Sequence, residues 1–139
     1  MKIREHSVTT DASLANAIWQ RWTNTKYWPE DDPDTKSASF AAPPTVGVKG
    51  TVLPVKGPKS RMEITRFEPN QHFYIQTHLP AATLAFEHDM AMTDDGRLLI
   101  THRIVFVGPL SFFFDKVIGS SIEKGFPNVM TNIVSRSKK

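Results

Sequence analysis

The last third of the chain restricts the fold more than any other part. From Leu110 the apolar residues recur at Phe113, Phe114, Val117, Ile118, Ile122, Phe126, Val129, Met130 and Ile133. This i, i+3, i+4, i+7 spacing marks one apolar face of a long helix. Such a stripe, rich in phenylalanine, needs a broad concave partner. Gly108-Pro109-Leu110 opens the helix, and Gly125 and Pro127 lie inside it. An internal proline removes one backbone hydrogen bond and crowds the preceding turn, so a kink is expected there.

Upstream segments supply the partner. Residues 2–10 read as a strand, with Ile3 and Val8 among β-formers. Asp11 is a good N-cap for a short helix that carries Leu14, Ile18, Trp19 and Trp22. A second short helix or turn holds Tyr27 and Trp28, and the acidic run from Pro29 to Asp34 reads as a solvated connection. Strands are expected near 35–42, 46–55, 60–67, 71–79, 83–93 and 97–107. Pro43-Pro44, Lys56-Gly57-Pro58, Glu68-Pro69-Asn70 and Pro80-Ala81 punctuate them. Short connections imply antiparallel pairing. Gly47 and Gly50 suit bends where a sheet curls. The expected class is α+β: a curved seven-stranded antiparallel sheet around a long C-terminal helix, with two short helices after the first strand. The 139 residues read as a single domain spanning 1–139.

Composition narrows the function. The chain is 40% hydrophobic and 22% charged, as in an ordinary globular protein. No segment approaches the roughly 18–20 apolar residues of a membrane span, so stable membrane insertion is not expected. Lys2, Arg4, Glu5 and His6 interrupt any apolar leader, which makes the cytoplasm the expected compartment. The net charge is +3 but the cations are scattered apart from Arg136, Lys138 and Lys139, so nucleic acid is not an expected partner. The chain has no cysteine, which excludes disulfides and thiolate chemistry. No phosphate-binding glycine loop is present, and no cofactor is expected.

Strand alternation identifies an inner face. Around the Asp94-Asp95-Gly96 turn, Arg103 marks one parity of the last strand as outer, and Glu87 and Asp89 do the same for the strand before it. Phe86, His88, Met90 and Met92 then face inward, with Ile100, His102, Ile104 and Phe106. A three-residue turn with glycine in the left-handed position pairs Thr93 with Arg97. Counting back sets His88 opposite His102, roughly 5 Å apart at Cβ. Two inward histidines can bond to each other, orient a ligand, or act as acid and base. They are the candidate catalytic residues if there is catalysis. No third inward ligand accompanies them, so no metal is expected. Phe73, Ile75 and Met62 share the inner parity, while His72, Tyr74 and His78 fall outside. Phe114 and Val117 face them from the helix, and Trp28 walls one end beside Trp19, Trp22 and Tyr27, which either wall it too or pack as the core of the short helices. These apolar residues, with both histidines, form the expected ligand-binding set.

Several local motifs occur in a telling order. They are Asp11-Ala12-Ser13 after the first strand, Tyr27-Trp28-Pro29, Gly47-x-x-Gly50 and Phe67-Glu68-Pro69. Asp95-Gly96 through Thr101-His102 comes next, then Gly108-Pro109-Leu110 and Gly125-Phe126-Pro127. Together they make the chain resemble the START/polyketide cyclase-like (SRPBCC) superfamily, the helix-grip fold. The resemblance implies a largely apolar cavity between the sheet and residues 109–135. It implies binding of a hydrophobic small molecule such as a lipid, polyketide or aromatic compound. It leaves open two alternatives, a polyketide cyclase or dehydratase using the histidines and a protein-interaction module related to chaperone activators. The paired cysteine and histidine ligands of the superfamily's iron–sulfur oxygenases are absent.

Overall fold

The computed structural model describes residues 1–138; Lys139, the last residue of the basic tail, lies outside them. Seven antiparallel strands form one sheet: β1 (Lys2–Thr10), β2 (Thr35–Phe40), β3 (Lys49–Pro54), β4 (Ser60–Glu68), β5 (His72–Leu79), β6 (Ala82–Met92) and β7 (Leu98–Val107). Their order is β1-β7-β6-β5-β4-β3-β2, so each strand neighbours the next in sequence except the first. β1 crosses to β7 and pairs from Lys2 with Phe106 to Thr10 with Leu98.

The short helices come after β1. The Asp11 carboxylate accepts from Ser13 N at 2.8 Å and opens a 3-10 turn that leads into α1 (Ala15–Thr23). α1 seats Ile18, Trp19 and Trp22 in the core. A further 3-10 turn leads into α2 (Trp28–Asp31). The acidic run is not wholly a solvated connection. Asp31 is buried, because the Arg21 guanidinium grips its carboxylate with three hydrogen bonds of 2.9–3.1 Å.

The C-terminal helical region starts at α3 (Ser111–Phe114), passes through a π-helical turn over Asp115–Gly119, and continues as α4 (Ser120–Ser137). The departure from α geometry thus falls at 115–119, while Pro127 sits inside continuous helix. A π-turn adds one residue and rotates the helix beyond it. The expected stripe is too wide. Phe126, Met130 and Ile133 are buried after the turn, whereas Leu110, Phe113 and Val117 are exposed. Gly119 lets the turn press close to the sheet: a Cβ there would stand 3.0 Å from the Phe106 ring and 3.1 Å from Arg4 Nε. Arg4 ties β1 to this region through Asp115 at 2.8 Å and Glu123 at 2.8 Å.

The core lies between the concave face and the helices. Register puts Ile64, Ile75, Phe86 and Ile104 in one cross-strand row and Met62, Thr77, Leu84 and Phe106 in another. A bulge between Ile64 and Arg66 restores the parity, so that Phe67 pairs with Phe73 and turns back toward the core. Charges gather on the convex face, where Arg103 bonds Glu5, Glu87 and Asp89.

Candidate functional site

The β6–β7 hairpin fixes the centre of the site. Thr93 N donates to Arg97 O at 2.8 Å, and Gly96 takes φ of 79°, the left-handed conformation that the turn requires. His88 and His102 are therefore directly paired on the concave face. The same row continues to Phe73 on one side and His6 on the other. The two imidazoles meet edge to face with centroids 4.8 Å apart.

Apolar rings surround the pair. Trp22 of α1 lies 5.3 Å from the His88 ring and 5.6 Å from the His102 ring, and Phe126 of α4 lies 6.1 Å from His102. Phe73 stands 5.4 Å from His88. The His88 Nδ1 proton goes to Phe73 O at 2.9 Å, which leaves Nε2 as an acceptor. Burial pushes the His88 imidazole down to about 4, and burial together with the neighbouring His88 and His6 holds His102 well below its ordinary value. Both are therefore neutral near pH 7. They can exchange hydrogen bonds with a bound group but bring no charge to it. Among the described residues, two buried nitrogens have no hydrogen-bond partner: Nε1 of Trp22, which is 2% exposed, and Nε2 of His102, which is 6% exposed.

The remaining expected residues divide by place. Met62, Phe73, Ile75, Met90, Ile100, Ile104 and Phe106 are all buried core. Phe86 and His88 on the sheet are half-buried, as are Phe114, Ile118 and Ile122 on the helical region. Trp28 is set apart from the histidines. Its indole donates to Trp22 O at 3.0 Å, and its ring meets Phe40 at 5.9 Å. Val117 does not join the set. It lies within the π-turn, is 57% exposed, and follows Phe113, one helical turn earlier, which is exposed as well. Met92 has the inner parity but lies at the open end of its strand and is exposed. Surface recesses occur among the described residues. One of about 230 Å³ is lined by Val8, Thr9, Met130 and Val134, and one of about 330 Å³ by Thr23, Thr25, Phe40 and Pro44. Neither includes the histidine pair.

Pattern reading misses His6 and places Trp22 only as a wall at one end of the cavity or as core. The β6–β7 turn gives a local ruler for His88 and His102. No such ruler exists for His6, since β1 reaches β7 across almost the whole chain. The spacing of Ile18, Trp19 and Trp22 marks a buried helix face but not what it covers.

Known structures share this fold. A hypothetical protein from Helicobacter pylori superposes with a TM-score of 0.78 at 11% identity, over 98% of this chain and 88% of that one. Norcoclaurine synthase from Thalictrum flavum gives 0.69 at 17% identity, over 97% and 84%. Ara h 8.0201 gives 0.70 at 12% identity, over 98% and 97%. This is the helix-grip fold. No family model matches the chain, and no curated protein matches it. At these identities the helix-grip likeness fixes architecture and leaves activity to the residues themselves. Among the described residues, no helix is long and apolar enough to cross a membrane.

Proposed function

We propose that this helix-grip chain, acting as one domain over residues 1–139, binds a hydrophobic small molecule between the concave sheet and the helical region. A lipid, a polyketide or an aromatic compound fits the lining. The observation that carries this reading is a gradient of packing. The sheet-facing residues of the second half of the helix, Phe126, Met130 and Ile133, are buried. Those of the first half, Phe114, Ile118 and Ile122, are half-buried, as is Phe86 on the concave face of the sheet. Apolar side chains left part-open on an inner face are where an apolar guest gains most by covering them. Met62 and Met90 lie deeper and can repack around a guest. His88 and His102 orient its polar group. The proposed place of work is the cytoplasm.

Neutral histidines suit hydrogen bonding better than proton delivery. This weighs against the cyclase or dehydratase alternative, which needs a group that titrates near the working pH. A protein-interaction role draws support from a different feature, the exposed side chains of Phe112, Phe113 and Val117.

Native mass spectrometry of the purified protein, with organic extraction of what it retains, tests the binding reading. A retained apolar compound whose occupancy falls in Phe86→Ala and Phe114→Ala is the expected result. No retained compound, and no rise in melting temperature with a broad panel of apolar ligands, would refute it in favour of a protein partner.

A further inference from the structure

We propose that the open face running from Leu110 to Lys124 docks this protein on the surface of an anionic lipid bilayer, without spanning it. The proposal does not rest on the ligand-binding reading above, because the side chains it uses face solvent.

Apolar side chains stand open around the start of the helical region. Phe112 is 61% exposed and Phe113 48%, and Leu110 and Val117 are exposed as well. Leu110, Phe113 and Val117 follow one another at helical spacing, with Phe112 beside them. The turn between β5 and β6 adjoins them. Leu110 N donates to Ala81 O at 3.1 Å, and Pro80 and Ala81 are exposed. Contiguous open apolar side chains of this size mark a surface that meets a partner.

Charge identifies the partner. From Val107 to Ser137 the chain has two carboxylates, Asp115 and Glu123, and Arg4 holds both at 2.8 Å. Lys116, one turn beyond Phe112 and Phe113, is exposed, and so are Ser121 and Lys124 further along. The open face therefore presents phenylalanine and lysine, with its carboxylates spent on Arg4. The acidic run lies by the other end of the helical region, where Arg136 meets Glu30 at 3.9 Å and Asp31 at 3.6 Å. Arg136 is roughly 30 Å along the helix from Lys116.

This pattern fits lipid better than protein. The cores of protein interfaces are depleted of lysine. At a bilayer surface the lysine stem lies along apolar chains while its ammonium meets anionic headgroups, and aromatic side chains enter beside it. A second copy of the chain fits poorly. A two-fold contact through this face would bring Lys116 of both copies together, and Asp115 and Glu123 are already taken by Arg4.

Flotation with vesicles of phosphatidylcholine alone, and of phosphatidylcholine with one third phosphatidylserine, tests this. The protein is expected to bind the mixed vesicles at least about fivefold more tightly and to come off them as salt is raised. Phe112→Ser with Phe113→Ser should weaken that binding at least about tenfold. Lys116→Gln with Lys124→Gln should remove the preference for phosphatidylserine. These side chains are exposed, so the variants should melt as the native protein does. Should one fail to fold, the ranking of the two vesicles and its salt dependence in the unaltered protein decide. No binding to the mixed vesicles, equal binding to both kinds, or binding that the phenylalanine variant leaves unchanged overturns the proposal. A dimer of the native protein that the phenylalanine variant abolishes, read by sedimentation, assigns the face to a second copy and overturns it too. Failure here together with a retained apolar compound leaves the ligand-binding reading standing.

Discussion

His88 and His102 are direct cross-strand partners on β6 and β7, and their rings touch edge to face with centroids 4.8 Å apart. The pair makes stability depend on pH. In the unfolded chain a histidine titrates near 6.5, whereas folded His88 titrates at about 4. Between these values the unfolded chain binds more protons. Stability should therefore be level with respect to this group above pH 6.5 and fall as the pH drops from 6.5 toward 4. At about 1.4 kcal/mol per unit, His88 sets an upper limit of about 3 kcal/mol on the loss. Urea unfolding of the native protein and of His88→Gln at neutral and acid pH checks this. The variant should lose less stability on acidification, and parallel losses would exclude the pair as the cause.

Arg21 and Asp31 form the most enclosed ion pair among the described residues, with side chains 10% and 4% exposed. Asp31 also takes Arg136 Nε at 3.6 Å, and its backbone carbonyl accepts from Asn132 at 3.0 Å. The Arg21 guanidinium lies over the Tyr27 ring at 4.3 Å. Asp31→Asn leaves the buried Arg21 guanidinium with the more exposed Glu30, at 3.0 Å, as its remaining carboxylate, and should cost about 1–3 kcal/mol. Replacing both partners with leucine should recover much of that loss. Thermal unfolding of the single and double variants reads the difference, and a double variant no better than the single one would contradict it.

Gly108 joins β7 to the helical region with φ of 117°, and a Cβ there would come within 2.9 Å of both Ala81 O and Ala82 Cα. Both obstacles are backbone and cannot rotate away. Gly108→Ala should lower stability by roughly 1–3 kcal/mol. A melting temperature equal to that of the native protein would show that the connection can re-route without strain.

The π-turn predicts opposite responses from two adjacent residues. Val117 is exposed and Ile118 packs against the core. Val117→Ser should change stability by less than about 0.5 kcal/mol and leave apolar-probe binding intact. Ile118→Ser should weaken both. A loss of binding in Val117→Ser alone would mean that the helix rotates when the protein takes up a guest.

The features legible in the sequence are those set by local rules. Alternation separated Arg103, Glu87 and Asp89 from the inner face, and the Asp94–Gly96 turn set His88 against His102, the pairing that the sheet has. The failures came where local rules do not reach. The i, i+3, i+4 count made the apolar stripe too wide: Phe114, Ile118, Ile122, Phe126 and Met130 face inward, while Leu110, Phe113 and Val117, apolar but on its edge, lie outside. Nothing in the run from Pro29 to Asp34 distinguishes Asp31 from its neighbours. Its burial depends on Arg21 and on the far end of the chain. Trp22 read as core or as a wall at one end of the cavity, and its place over the histidines depends on how α1 crosses the sheet.

The pairing of β1 with β7 also shapes how the molecule forms. Lys2 must find Phe106, and Arg4 must find Asp115 and Glu123. β1, made before the other six strands of this sheet, thus waits for nearly all of them before it has a partner. Contacts this distant along a chain slow folding, because a long loop must close before they repay its lost entropy. Stopped-flow refolding should place this protein among the slower small domains, in the range of roughly milliseconds to seconds. Until the terminal helix arrives, the concave face of the nascent sheet is an open apolar surface, and that interval is when the chain most needs protection from its neighbours.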